Sequence, residues 1–258
     1  MFFNLSHFFQ KIKSSITWKI FKDSLLSVLF LIFLNLLNFS FFSLFLFFLL
    51  MLWIYFSQPG ERQNFRTSFW ITNFLFVFFL ANIETLTEIK LVVLIFYGIL
   101  MFFILGLINL TFKEKFVVYN VLNLLILFLL FINVFLFHPF FEKFSFWQIL
   151  FWNLEIFVVI SLIFLEFWRN FGVGFLKKEK LWSYLIGLIA LELSMIVVFL
   201  PLGFFNAAIF LTLIMALLRD IYLVYENGLL NYNFVFRQLT IFIVISAIIS
   251  LLVNWRVY

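Results

Sequence analysis

Two glutamates lie inside long apolar segments, where a charged side chain is unfavourable in free energy. Glu155 follows Trp147 by eight residues in one segment, and Glu192 precedes Leu200 by eight residues in the next. A charge near the middle of a membrane-spanning helix costs about 2.5 to 3.5 kcal/mol, so residues of this kind are the first candidates for function. At about 1.5 Å per residue, both carboxyl groups are expected about 12 Å below the same membrane surface.

Gln148 and Glu166 extend the polar stripe of Glu155. They lie seven residues before it and eleven residues after it, and both offsets return to within about 20° of the same helix face. The stripe is therefore expected to face other helices or water rather than lipid. If Glu155 met Glu192 on the neighbouring helix, the pair would share a proton. That arrangement predicts a small proton-coupled permease or a cation path.

The same carboxyl groups allow two further interpretations. A protonated glutamate can hydrogen-bond a polar neighbour such as Asn206 or Ser194 and only hold helices together, as in a structural or assembly subunit of a larger membrane complex. An enzymatic carboxylate, as in a lipid-modifying enzyme, is the third. The sequence contains no His-Glu-x-x-His pair, Gly-x-Ser-x-Gly elbow or glycine-rich phosphate loop. No catalytic residue, metal or cofactor is therefore assigned.

Arg219, Asp220 and Arg237 form a second candidate site. The first two follow a short apolar segment, and Arg237 precedes the last one. Together they could contact a lipid headgroup or a phosphate. The alternative is that Arg219 extends its guanidinium group to the membrane surface while its stem stays among apolar groups.

The composition identifies the bilayer as the solvent. The 258 residues are 66% hydrophobic and 11% charged, whereas soluble domains have about 25% charged residues. The net charge of +5 fits a membrane protein with basic inner loops, and no basic run longer than Lys177 and Lys178 exists to bind nucleic acid. The chain has no cysteine, which excludes disulfides and thiolate sites. The expected partners are the lipid bilayer and other membrane proteins; the substrate is not identified.

No charged residue occurs from Ser24 to Gly60. One span needs about 20 residues, so this run is too long for a single helix and long enough for two short ones that turn near Asn38 and Ser40. Further apolar segments lie at about 69–83, 91–110, 117–137, 147–168, 181–200, 204–218 and 239–255. The sequence therefore predicts an all-α polytopic transmembrane helical bundle of about nine spans.

Lysines and arginines predict the orientation, because they collect in cytoplasmic loops. With a hairpin at the start, three of the 17 lie outside, namely Lys90, Lys143 and Arg256, and fourteen lie inside. The inner ones are Lys11, Lys13, Lys19, Lys22, Arg62, Arg66, Lys113, Lys115, Arg169, Lys177, Lys178, Lys180, Arg219 and Arg237. A single opening span would leave seven inside and ten outside. The hairpin is favoured, with the N-terminus inside and the C-terminus outside.

Residues 1–22 are predicted to form an amphipathic helix on the cytoplasmic membrane surface. Phenylalanines and isoleucines share one side of the helical wheel, and lysines and other polar residues occupy the opposite side. A targeting segment is the competing interpretation. Residues 23–258 would then be the bundle, within one membrane domain over 1–258. The expected location is the bacterial inner (plasma) membrane, with the mitochondrial inner membrane as the alternative.

Overall fold

The computed structural model describes residues 16–58, 64–83, 87–109, 111–112, 114–137, 146–171, 176–198, 200 and 202–252. Within these ranges the chain forms nine α-helices and no strand, so the all-α prediction is confirmed. In chain order they are α1 (Ile16–Leu36), α2 (Phe41–Ser57), α3 (Arg66–Asn82), α4 (Thr87–Ile108), α5 (Lys115–Phe137), α6 (Phe146–Phe171), α7 (Leu176–Val198), α8 (Gly203–Glu226) and α9 (Tyr232–Leu252). Residues 1–15 of the amphipathic helix predicted over residues 1–22 lie outside the described residues, and residues 16–22 form the first part of α1, which continues without a break past residue 22.

The uncharged run forms two helices, as its length predicts. Helix α1 ends with Asn38 in a left-handed conformation (φ 49°), and the Phe39 amide donates to the carbonyl oxygen of Leu34 at 3.1 Å. These features define a Schellman ending, which satisfies carbonyl groups that the last helical turn leaves open. Ser40 then caps α2, because its hydroxyl oxygen accepts from the Ser43 amide. The break lies where Asn38 and Ser40 predict it.

Four of the described helices are long and apolar enough to cross a membrane. The qualifying stretches are Lys90–Ile108, Lys115–Leu136, Lys178–Val198 and Gly203–Glu226. The apolar stretches Phe41–Ser57 and Tyr232–Ala247 are shorter. Large apolar side chains cover outward helix faces, and Phe41 and Leu181 are 87% and 68% exposed. Apolar surface of this kind is compatible with contact to lipid.

The connection between the apolar segments 204–218 and 239–255 is much shorter in the structure than those bounds predict. Helix α8 continues to Glu226 and α9 begins at Tyr232, which leaves a short connection. The hydropathy of the sequence marks only the part of a helix that suits lipid, whereas the helical hydrogen bonds continue into polar surroundings. Gly228 (φ 67°) ends α8 in a second Schellman motif, with the Leu229 amide donating to the Val224 carbonyl oxygen at 3.0 Å.

The chain divides into two compact units, residues 1–122 and 123–258. In the first unit α1 packs along α4 and α2, and α3 packs along α4. In the second unit α6 and α7 form the most extensive helix pair, and α8 packs against both α7 and α9. Trp168 near the end of α6 and Trp182 near the start of α7 both pack on Tyr222 of α8, so α6 and α7 run antiparallel. A single membrane domain over 1–258 stays a prediction.

Gly187 sets the closest approach of α6 and α7. A Cβ atom added to it would meet Ser161 Oγ at 2.2 Å and the Phe157 carbonyl oxygen at 2.9 Å. Atoms do not come this close in folded proteins, and a helical carbonyl group cannot turn away. The face of α6 that carries Phe157 and Ser161 is therefore directed at α7.

We predict that Gly187→Ala destabilises the protein although alanine is the better helix former by about 1 kcal/mol. Displacing α6 from the added methyl group should cost about 1 to 3 kcal/mol. The measurement is unfolding of the purified protein by increasing SDS in mixed micelles. Leu188→Ala, at the neighbouring exposed position, is the control. Equal midpoints for the two variants would contradict the close approach.

Candidate functional site

Glu155 lies in α6 with its side chain buried. Its exposed fraction is 9%, and its Oε1 atom is buried without a hydrogen-bond partner. Ser161 Oγ, in the same helix, is also buried without a partner. A buried polar atom that makes no hydrogen bond costs about 1 to 3 kcal/mol, and other described residues, among them Asn133 and Trp168, also contain such atoms. Glu155 differs from these two because its side chain is ionisable and lies within an apolar segment.

Glu192 lies at the level of Glu155 but on an exposed face of α7. Gly187 of α7 lies beside Phe157 and Ser161 of α6. Because the two helices run antiparallel, moving five residues forward along α7, from Gly187 to Glu192, corresponds to moving about five residues back along α6, to the level of Glu155. At 100° per residue Glu155 is about 200° from Phe157, and Glu192 is about 140° from Gly187. By this count the two carboxyl groups lie at a similar level along α6 and α7, on faces other than the one through which the two helices touch.

The other residues of the predicted stripe have different surroundings. Glu166 is buried, with 4% of its surface exposed. Gln148 lies in the first turn of α6, and its side chain is outside the described residues. Asn206 is half-buried near the start of α8. The buried glutamates of α6, Glu155 and Glu166, therefore form the described part of this stripe.

Arg219 is buried within the second unit, with 1% of its surface exposed. Its Nε and Nη2 atoms both donate to Asp220 Oδ1 at 3.1 Å, and Nη1 donates to Asn123 Oδ1 of α5 at 3.3 Å. The guanidinium carbon lies 5.3 Å from the ring centre of Phe167 in α6, within the range of a cation–π contact. Arg219 thus links three helices.

Arg237 has a different environment from Arg219. It is exposed on α9, and its guanidinium carbon lies 5.5 Å from the ring centre of Phe234 on the same helix. The structure does not place the two arginines in a common exposed site. Arg219 and Asp220 form a structural ion pair, and Arg237 is the member of the predicted headgroup site that is open to the surroundings.

A row of hydrogen-bonded polar side chains at one end of the first unit was not predicted from the sequence. Asp23 is buried in α1 and accepts a 2.7 Å hydrogen bond from Gln58 Nε2 just after α2. Gln58 Oε1 accepts in turn from Asn109 Nδ2 just after α4, at 2.8 Å. Beside these residues, Lys19 Nζ donates to the carbonyl oxygen of Ser57. If successive helices alternate in direction, as the sequence predicts, all these residues fall at the same end of the unit, and this pattern could have revealed the row of hydrogen bonds.

A second polar contact in the first unit lies deeper and was also missed. The Tyr97 hydroxyl group of α4 donates to Asn73 Oδ1 of α3 at 2.6 Å. Asn73 Nδ2 in turn donates to the Phe69 carbonyl oxygen in its own helix. Tyr97 and Asn73 are both buried. Because the Asn73 oxygen accepts from the phenol and the Asn73 nitrogen donates to the Phe69 carbonyl oxygen, both ends of this amide are used in joining α3 to α4.

The described ranges contain no group of three or more histidine, aspartate or glutamate side chains that could hold a metal ion. Comparison of the chain with protein-family models, with curated proteins and with solved structures found no match. The buried carboxyl group of Glu155 is therefore the feature on which a functional proposal can be built.

Proposed function

We propose that this chain is a multi-pass membrane protein whose helices make about nine spans, with the N-terminus inside and the C-terminus outside. The distribution of lysines and arginines supports the orientation. The four long apolar helices and the exposed apolar faces support the membrane location. The bacterial inner membrane is the proposed site, and the mitochondrial inner membrane is the alternative.

The proposed activity is that of a small permease-like transporter in which Glu155 binds and releases a proton or a cation. The buried, unpartnered Oε1 atom of Glu155 carries this proposal. Ionisable residues inside membrane spans are costly, and they mark proton relays and ion paths. Glu192 is at the same depth but on an exposed face, so the proposal assigns the proton-binding role to Glu155 alone.

We predict that Glu155→Gln lowers proton flux at least tenfold. Glutamine keeps the size and shape of the side chain but cannot take up and release a proton. The measurement is proton entry into proteoliposomes that contain a trapped pH-sensitive dye and are driven by a potassium diffusion potential.

Glu192→Gln is the matched control, because it makes the same chemical change at the same depth on the exposed face of α7. This variant should retain the parent flux. A parent chain that passes no more protons than empty liposomes would contradict the transport proposal, and so would equal flux through the parent and Glu155→Gln.

A structural or assembly subunit is the second candidate, and the position of Glu192 favours it. Glu192 is exposed between Leu188 and Ile196, which are 49% and 58% exposed on the same face of α7. A carboxyl group directed at lipid is costly, and charged residues in spans normally face other helices or water. A partner helix that donates a hydrogen bond to Glu192 would remove this cost.

If this second function is correct, a stoichiometric partner should co-purify with the chain from its native membrane in mild detergent. Glu192→Leu should lower partner recovery at least fivefold, because leucine suits lipid and offers no acceptor. Glu155→Gln should leave recovery unchanged. Equal recovery with the parent and with Glu192→Leu would exclude this face as the subunit contact.

A further inference from the structure

An apolar groove runs between α1 and α4 in the first unit. Its volume is about 870 Å³, within the range of about 300 to 1,000 Å³ that is usual for small-molecule sites. From Phe21 to Asn35, the lining residues of α1 cover a rise of about 21 Å. One leaflet of the hydrocarbon core is about 15 Å deep, half of the full core. The groove is therefore long enough to hold a lipid chain along its leaflet.

The walls of the groove are hydrocarbon. Leu25 of α1 and Leu91, Ile95 and Ile99 of α4 line it and are about half exposed. At the base of the groove α1 and α4 are in contact, because Val28 packs on Gly98, where an added Cβ atom would meet Val28 Cγ2 at 2.9 Å. The Gly98 carbonyl oxygen already accepts a hydrogen bond from Ser24 Oγ at 2.7 Å, so an acyl chain can lie in the groove without displacing that bond.

A cationic group stands at one end of this apolar groove. Lys90 lines it near the start of α4, and Lys90 Nζ donates to Asn35 Oδ1 near the end of α1 at 3.2 Å. The ammonium group has three donors, and the amide oxygen takes one of them. An ammonium group at the end of an apolar groove matches an amphiphile with an anionic headgroup and an apolar tail.

We propose that the α1–α4 groove is a binding site for an anionic phospholipid. One acyl chain lies along the groove, and the phosphate group of the headgroup contacts Lys90 and Asn35. The site is independent of Glu155, because all of its residues belong to the first unit. The charge of Lys90 selects the headgroup, and the shape of the groove holds the chain.

The test is native mass spectrometry of the intact, purified chain with palmitoyl-oleoyl phosphatidylglycerol or phosphatidylcholine, which share the same acyl chains. One basic residue near the membrane surface contributes about 1 kcal/mol toward an anionic lipid, which corresponds to about fivefold tighter binding of phosphatidylglycerol. Lys90→Gln should abolish this preference. Lys178→Gln, which removes an exposed lysine of the second unit, should keep it.

A second pair of variants tests the groove itself. Ile95→Trp places a large ring in the groove from an exposed position and should lower the retention of both lipids at least fivefold. Ile196→Trp makes the same change at an exposed position of α7, outside the groove, and should have no effect. The proposal is overturned if the parent retains both lipids equally, if the two lysine variants behave alike, or if the two tryptophan variants do.

Discussion

The hydrocarbon core of a bilayer contains no water, so each backbone N–H and C=O group that enters it must be satisfied within the protein. This constraint explains why a chain with 66% hydrophobic residues forms helices throughout its described part. It also explains how the helices end. The left-handed residues Asn38 and Gly228 close α1 and α8 with Schellman motifs, which satisfy the last carbonyl groups before the chain turns.

Buried polar side chains obey the same constraint in most places. Asn73, Asn133 and Thr212 donate to carbonyl oxygens four residues earlier in their own helices, and Arg219 is satisfied by Asp220 and Asn123. The contacts of Arg219 join three helices, whereas the bonds to these carbonyl oxygens stay within one helix. Glu155 Oε1 is buried and unpartnered, as are Asn133 Oδ1 and several other buried polar atoms of the described residues. Glu155 differs from Asn133 in that its side chain is ionisable, which makes it the candidate for proton or cation binding.

The sequence predicted the positions of the helices better than the surroundings of the candidate site residues. The uncharged run and its Asn38 and Ser40 turn predicted two helices, because run length and turn chemistry are local properties. The end of α8 was missed because hydropathy measures fitness for lipid and not helical hydrogen bonding. Counting residues predicted the common depth of Glu155 and Glu192, but their faces depend on Gly187, where α6 and α7 approach most closely. The burial of Arg219 was not predictable either, because Phe167 and Asn123 come from other helices.

The most direct test of the proposed membrane topology is to determine on which side of the membrane two helix connections lie. The natural chain has no cysteine, so single cysteines can be placed without removing others. Ser40 follows α1 and Asn227 follows α8, and both are exposed. A membrane-impermeant maleimide should label Ser40→Cys in sealed right-side-out vesicles and Asn227→Cys only after the vesicles are opened. Labelling of Asn227→Cys in sealed vesicles, or protection of Ser40→Cys there, would contradict the account.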